Sequence, residues 1–349
     1  MPKLCLRVAL VVCALLSVAV PSRAQNQPAP INVGAALRTF FVHADPSTAD
    51  STDEFHVDSA RLFLNGAVTK QIKLTFNTEY DGGAKEVRLM DAIGQFEFSP
   101  AFNIWVGRFL PPSDRANLYG PYYSNHWGIY TDGVQDGYPF IASGRTNGAA
   151  YWGQFNKVSV SGGVFDGASA TGNSTLIKAG RVEANLWEAE PGYYRSGTFY
   201  GSKNILSVGL AGQIQGEDNT AVNVDFLLER KVGQGGAFTL EGELARYDRL
   251  GGYKARYATD EGGYVLASYL LPVLTGTGRF QLLGKFGRAT YSGGITAAER
   301  DYDQTTTEFN LNYLLKGYDA RIMLFYLDTR FSAVQPDFKR IGVGLQLIK

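Results

Sequence analysis

The sequence predicts an all-β fold: a transmembrane, antiparallel, up-and-down β-barrel of about sixteen strands. Three observations predict it. Apolar and polar residues alternate with a period of two through segment after segment, as in Ile72, Leu74 and Phe76 against Gln71, Lys73, Thr75, Asn77, Glu79 and Asp81. Such a strand has one apolar and one wet face. Most segments run ten to thirteen residues, longer than ordinary soluble strands and long enough to cross a bilayer at a tilt. The connections alternate short and long, as in barrels whose turns are short on one side of the membrane.

The first element is a leader rather than a strand. Lys3 and Arg7 precede an apolar run from Val8 to Val20, and Ser22-Arg23-Ala24 forms a small-x-small cleavage site before Gln25. A run of thirteen apolar residues is too short for a spanning helix and fits a secretory signal. The expected organisation is a signal peptide over 1–24 and a barrel over 25–349. Both cysteines, Cys5 and Cys13, fall in the leader, so the mature chain has no disulfide or thiolate chemistry. Cleavage removes three basic residues, leaving 30 Lys plus Arg against 33 Asp plus Glu. That slightly acidic balance argues against a nucleic-acid partner.

Strands are expected at about 31–43, 55–69, 71–81, 86–98, 102–109, 148–155, 157–167, 176–187, 204–216, 221–232, 236–248, 263–272, 278–291, 303–316, 318–329 and 338–348. With the first strand rising from the short-turn side, the connections 69–71, 99–101, 156, 231–236, 272–278 and 316–318 are short, and 44–54, 110–147, 248–262, 292–302 and 330–337 are long. Only 188–203 breaks the parity, marking either an ordered segment on the short-turn side or a misplaced strand. No apolar run of the mature chain is long enough for a helix to span; Leu266–Leu274 is short and broken by Pro272. A membrane-spanning chain of this kind closes its sheet, because lipid satisfies no backbone N–H or C=O.

Alternation does not say which face is inside. Export, strand length and loop parity turn the apolar faces outward: Val208 and Leu210; Val222, Val224 and Phe226; Leu240 and Leu244; Phe309 and Leu311; Val343 and Leu345. Aromatics near strand ends, Phe40, Phe41, Tyr80, Phe98, Tyr247, Tyr269, Tyr291 and Tyr326, then suit interfacial girdles. The inward charges become candidates for the lumen wall: Arg61, Lys73, Glu79 and Asp91 early in the chain, Arg181 and Glu183 in the middle, and Asp225, Glu229, Glu241, Glu243 and Lys285 later. Both signs occur, which suits a transverse field better than a ring that filters one sign.

The 110–147 connection is exceptionally long and rich in rings, including Tyr119, Tyr130, Tyr138 and Phe140. We expect it to fold into the lumen and narrow it, with Asp114, Arg115, Tyr122, Tyr123, Trp127 and Arg145 as constriction candidates. Catalytic and metal residues are not expected. His43, His56 and His126 are scattered without metal-ligand spacing, and Asp301-Tyr302-Asp303 lacks the later ligands of a calcium loop. No nucleophile elbow, phosphate loop or dinucleotide fingerprint occurs.

SARLFLNGAVTKQIKLTFNTEYD from Ser59 and DAIGQFEFSPAFNIWVGRFLPP from Asp91 form a strand pair, an Asp-Ala strand, and a strand ending Gly-Arg-Phe before prolines. With EPGYYRSGTFYGSKNILSVGLAGQIQG from Glu190, they resemble the phosphate-selective porin O/P family. The resemblance implies a sixteen-stranded porin of the Gram-negative outer membrane, usually trimeric, and makes the long 188–203 connection a family feature. Founding members select phosphate with rows of Arg and Lys; the wall read here is mixed, and the last strand ends Leu347-Ile348-Lys349 without the usual aromatic.

The expected function is passive diffusion of small hydrophilic solutes or ions, anions such as phosphate among them, with outer-membrane lipid as surroundings, a homotrimer as assembly, and no cofactor. Two rival readings are a lipid-modifying barrel enzyme and a plugged structural or adhesive barrel.

Overall fold

The computed structural model describes residues 31–129, 131, 133, 144–167, 176–217, 219–249, 257–294, 296, 299–333 and 335–349. The leader reading, and the loop residues Tyr130, Asp132, Asp136, Tyr138 and Phe140, lie outside the described residues.

Sixteen antiparallel strands form one closed barrel, each pairing with its sequence neighbours and the first with the last. They are β1 (Asn32–Pro46), β2 (Thr52–Ala67), β3 (Ile72–Asp81), β4 (Glu86–Ser99), β5 (Phe102–Phe109), β6 (Thr146–Phe155), β7 (Val158–Phe165), β8 (Ile177–Asn185), β9 (Ile205–Gln215), β10 (Asn219–Val232), β11 (Gly236–Asp248), β12 (Tyr257–Leu270), β13 (Arg279–Gly294), β14 (Tyr302–Lys316), β15 (Ala320–Phe331) and β16 (Phe338–Ile348). A five-residue helix, α1 (Arg115–Tyr119), lies between β5 and β6. Among the described residues no helix is long and apolar enough to cross a membrane, and closure removes the sheet edges that lipid would leave unsatisfied.

The barrel is inside-out relative to a soluble one. Leu74, Phe76, Leu210, Val222 and Leu244 are exposed on the outer face, Leu244 at 68%. Asn223, Asp225, Glu229, Glu241, Asn312 and Gln346 are buried within. An exposed apolar surface this extensive is what a membrane covers.

Several strands outrun the alternation that predicts them. β12 begins at Tyr257, six residues before the expected start, because beyond the apolar band both faces turn polar. There Arg246 pairs with Glu261 at 3.1 Å, and the Thr259 hydroxyl donates to Asp248. Three of the girdle aromatics need correction. Phe40 packs inward against Trp127 and Phe325, at 5.7 and 6.2 Å between ring centroids, while Tyr247 and Tyr291 are buried in an inner cluster with Tyr257, Tyr264 and Tyr302. Each falls on the inward parity of its strand, where loops supply partners. Phe98 and Tyr269 are exposed on the outside as expected. The 188–203 parity break is not a missed strand: the chain between β8 and β9 is ordered and irregular, and it turns into the lumen.

Candidate functional site: the barrel lumen

Two segments enter the lumen from opposite ends. The long connection leaves β5 and packs Leu110 with Trp105, Phe109, Phe165, Ile177 and Tyr193. Asp114 caps α1, its carboxylate accepting from the Asn117 N–H at 2.8 Å. Burial pushes the Asp114 carboxyl up to about 6, against the lowering effect of its Asn117 bonds. α1 then delivers Arg115, fully buried, into a nest of wall and turn groups. Its guanidinium donates to Glu190 at 2.5 and 2.9 Å, to Ser207 Oγ at 2.8 Å and to the Ser196 carbonyl at 3.1 Å, and it reaches Glu183 at 3.4 Å and Asp225 at 3.7 Å.

The surrounding charges balance. Arg181 grips Asp225 through two bonds of 2.5 and 2.8 Å and Glu183 through one of 2.7 Å, and Arg195 donates to Glu183 at 2.8 Å. Arg115, Arg181 and Arg195 thus meet Glu183, Glu190 and Asp225. Equal numbers of opposite charges with hydrogen-bonded geometry are what make burial of ions tolerable.

Beyond α1 the loop crosses to the far wall. Tyr119 Oη donates to Glu241 at 2.7 Å, and Tyr122 Oη lies 2.9 Å from Ser59 Oγ. Arg321, fully buried, donates to the Ser124 carbonyl at 2.6 Å and the Tyr200 hydroxyl at 3.2 Å. Trp127 stacks on Phe325 at 5.4 Å beneath the Arg38 guanidinium, and the Trp127 and Gly128 N–H groups donate to Glu308.

The second segment, between β8 and β9, braces the loop from the short-turn end. Gly197 N–H donates to the Tyr123 carbonyl at 2.9 Å and Tyr193 Oη to the Leu110 carbonyl at 2.7 Å. Glu229 on β10 fixes the segment itself, accepting from the Phe199 and Gly201 N–H groups and the Thr198 hydroxyl, each at 2.7 Å.

The eleven wall residues read from sequence all lie on inward-pointing parity, yet they divide. Seven lie beneath these two segments: Arg181, Glu183, Asp225, Glu229, Glu241, Glu243 and Lys285. Four line the side left uncovered, along β2 to β4. There Arg61 pairs with Glu79 at 3.1 Å, Asp91 with Arg145 at 2.8 Å, and Lys73 with Glu97 at 2.5 Å. Above them a cleft of about 620 Å³ opens between the β1–β4 wall and the loop, lined in part by Arg38, His56, Asp58, Arg61, Glu79, Trp127 and Arg145.

The constriction candidates divide too. Asp114 and Arg115 are buried and act as anchors rather than facing open space. Tyr122 and Trp127 pack against the wall, Tyr123 is exposed beside Tyr318, and Arg145 faces the cleft. Arg38, Arg195, Glu190, Glu308 and Arg321 were not among the sequence candidates. Arg38 and Arg321 hide in rows whose inner face is otherwise apolar, such as Arg321, Met323, Phe325 and Leu327. A basic residue interrupting an apolar inner row was the available signal.

Among the described residues no group of three or more His, Cys, Asp and Glu could hold a metal. His43 faces Asp53 and His56 faces Glu54. Ser124 Oγ lies 3.1 Å from His126 Nδ1, but both residues are fully buried and His126 Nε2 faces Lys285 at 3.0 Å. Burial, then the Lys285 charge, push this imidazole well below its usual range. A pair without access to substrate, and without a carboxylate behind the histidine, is not arranged for nucleophilic catalysis.

No family model and no curated protein matches the chain. Solved structures do. OmpT, an outer membrane protein of Vibrio cholerae folded in vitro, in its trimer form, aligns with a TM-score of 0.58 at 13% identity over 93% of this chain and 100% of that one. An anion-selective porin from Comamonas acidovorans aligns with a TM-score of 0.58 at 15% identity over 92% of this chain and 100% of that one. The chain therefore shares the barrel fold of these two proteins.

Proposed function

We propose that the protein is a passive outer-membrane channel for small hydrophilic solutes and ions, exported behind a leader cleaved after residue 24 and assembled as a homotrimer. The observation that carries this reading is the inverted barrel, with charged and amide groups inside a closed sheet whose outer face is apolar. The permeation path runs along β1 to β4, where Lys73, Thr75, Gln95 and Glu97 are accessible toward the short-turn end. It continues past the Arg61–Glu79 and Asp91–Arg145 pairs to the cleft beyond.

The solved anion-selective porin and the resemblance to phosphate-selective porins support permeation by anions. The wall supports selection that is weak, because cations and carboxylates stand in contact pairs along the path, which offsets each charge locally and leaves no ring of one sign. The complete burial of Ser113, Asp114, Arg115, Asn125 and His126 favours one second reading, a plugged structural barrel. Conductance of the purified protein in planar bilayers separates the two. Discrete ion-conducting steps from folded protein are expected; folded, inserted protein that passes no current would overturn the channel reading. Reversal potentials in a salt gradient then report selectivity. Strong anion preference blocked by low phosphate would replace the paired-charge account with a phosphate site.

A further inference from the structure

Outward-pointing cations stand at both rims of the barrel. At the long-loop end three arginines meet acids: Arg246 pairs with Asp248 and Glu261 at 3.0 and 3.1 Å, Arg288 with Asp303 at 2.9 Å, and Arg330 with Asp328 at 2.9 Å. At the short-turn end three cations gather without such partners. The acids described on that rim, Glu97, Glu188 and Asp319, are each taken up by a lysine, Lys73, Lys231 and Lys316. Lys157, Lys203 and Arg230 have no carboxylate within ion-pair distance among the described residues.

These three form one arc. Lys157 Nζ donates to the Leu186 carbonyl at 3.0 Å, Arg230 lies 5.3 Å from the Trp187 ring, and Lys203 Nζ donates to the Ala189 carbonyl at 2.9 Å. All three are thus gathered on the stretch 186–189 that leaves β8. Arg230 also ends the lipid-facing row of β10, directly after Val222, Val224, Phe226 and Leu228. Its charge therefore stands where hydrocarbon gives way to headgroups. Exposed Leu186, at 58%, and Phe155, at 51%, flank the arc on the apolar side. Cations held together beside an indole and apolar anchors make up the pattern that binds an anionic leaflet.

We propose that this arc, Lys157, Lys203 and Arg230 around Trp187, is a docking site for the phosphate headgroups of anionic phospholipid in the leaflet at the short-turn end. The proposal rests on the membrane-barrel reading and goes beyond permeation. The arc gathers three cations on one short stretch of chain, and the lipid headgroups supply their counter-charge.

The test uses the folded full chain in nanodiscs of equal phosphatidylglycerol and phosphatidylethanolamine, extracted gently and weighed with its retained lipid by native mass spectrometry. Wild-type protein should retain phosphatidylglycerol preferentially. The triple variant Lys157→Gln, Lys203→Gln, Arg230→Gln should lose at least tenfold of that preference, since each cation at an anionic surface contributes about fivefold, or ~1 kcal/mol. Arg246→Gln, at the opposite rim, should keep it. Inserted wild-type protein without preference, a triple variant that retains it, or equal loss in Arg246→Gln would each overturn the proposal. A chain that fails to insert at all would overturn the membrane reading with it, whereas an inserted, conducting chain without preference defeats only the lipid site.

Discussion

Replacing Arg115 by methionine tests whether the long loop is held in the lumen by charge. Methionine keeps much of the apolar stem, so the change removes the guanidinium more than the packing. The cost follows from what each acid retains. Glu183 keeps Arg181 and Arg195, and Asp225 keeps both bonds from Arg181. Glu190 keeps only the Ser207 hydroxyl, at 2.8 Å, and would be left as a buried carboxylate without a cation. Stranding one buried charge costs about 3 to 5 kcal/mol, far more than loss of an exposed pair.

Two measurements read this cost. Urea unfolding in vesicles should show a loss of about 3 kcal/mol or more, and single-channel conductance should rise as the loop leaves the wall. Adding Glu190→Gln in the same chain removes the stranded charge and should recover at least half of the lost stability. Wild-type conductance together with a change in stability below about 1 kcal/mol, the range of an exposed pair, would refute the anchoring argument. A stability loss that Glu190→Gln does not relieve would refute the assignment of that loss to the stranded carboxylate.

The cleft makes a simpler prediction: Arg61→Gln leaves Glu79 without the cation beside it, so reversal potentials should shift toward cation preference, and an unchanged potential would show that this pair does not face the permeating ions. Asp114 gives a pH dependence. Its carboxyl is raised to about 6, so the folded state holds its proton more tightly than the unfolded chain, and stability falls as pH rises from about 4 to 6. Two units correspond to about 3 kcal/mol. Asp114→Asn, which can still cap α1, should lack this loss, visible as a wild-type-minus-variant difference that opens above pH 4 and levels off beyond 6. Gly107 has φ of 130°, and a Cβ there would stand 2.0 Å from the Ala92 carbonyl oxygen on the paired strand. Gly107→Ala should therefore block assembly, measured as loss of the folded, heat-modifiable band on electrophoresis.

The fold was legible because a closed barrel writes its rule into every strand. Val222, Val224, Phe226 and Leu228 opposite Asn223, Asp225 and Glu229 carry the period of two, and the structure places each residue on its expected face. Legibility failed where the rule itself lapses. At Thr259, Asp260 and Glu261 the residues of both faces are polar, so no alternation marks the strand start. At Phe40 an inserted ring, Trp127, covers the inner face, and Tyr247 and Tyr291 lie in an inner cluster of the wall's own tyrosines, so an inward aromatic looks like an interfacial one.

The site was only half legible, for a physical reason. Strand parity says that Glu229, Glu241 and Lys285 point inward, but an inward charge in a wide barrel can meet water or protein, and parity is the same in both cases. What decides between them is contact across long stretches of chain: Arg115 and Glu190 are 75 residues apart, and Trp127 and Glu308 are 181 apart. Much of the satisfaction comes from backbone, with the N–H groups of Trp127, Gly128, Phe199 and Gly201 serving Glu308 and Glu229. Backbone donors carry no signature in residue type. The acids of β10 and β11, read as lumen wall, are therefore largely the seat of the two inserted segments. The proposed path falls to β1–β4, where Arg61, Glu79 and Arg145 line a cleft.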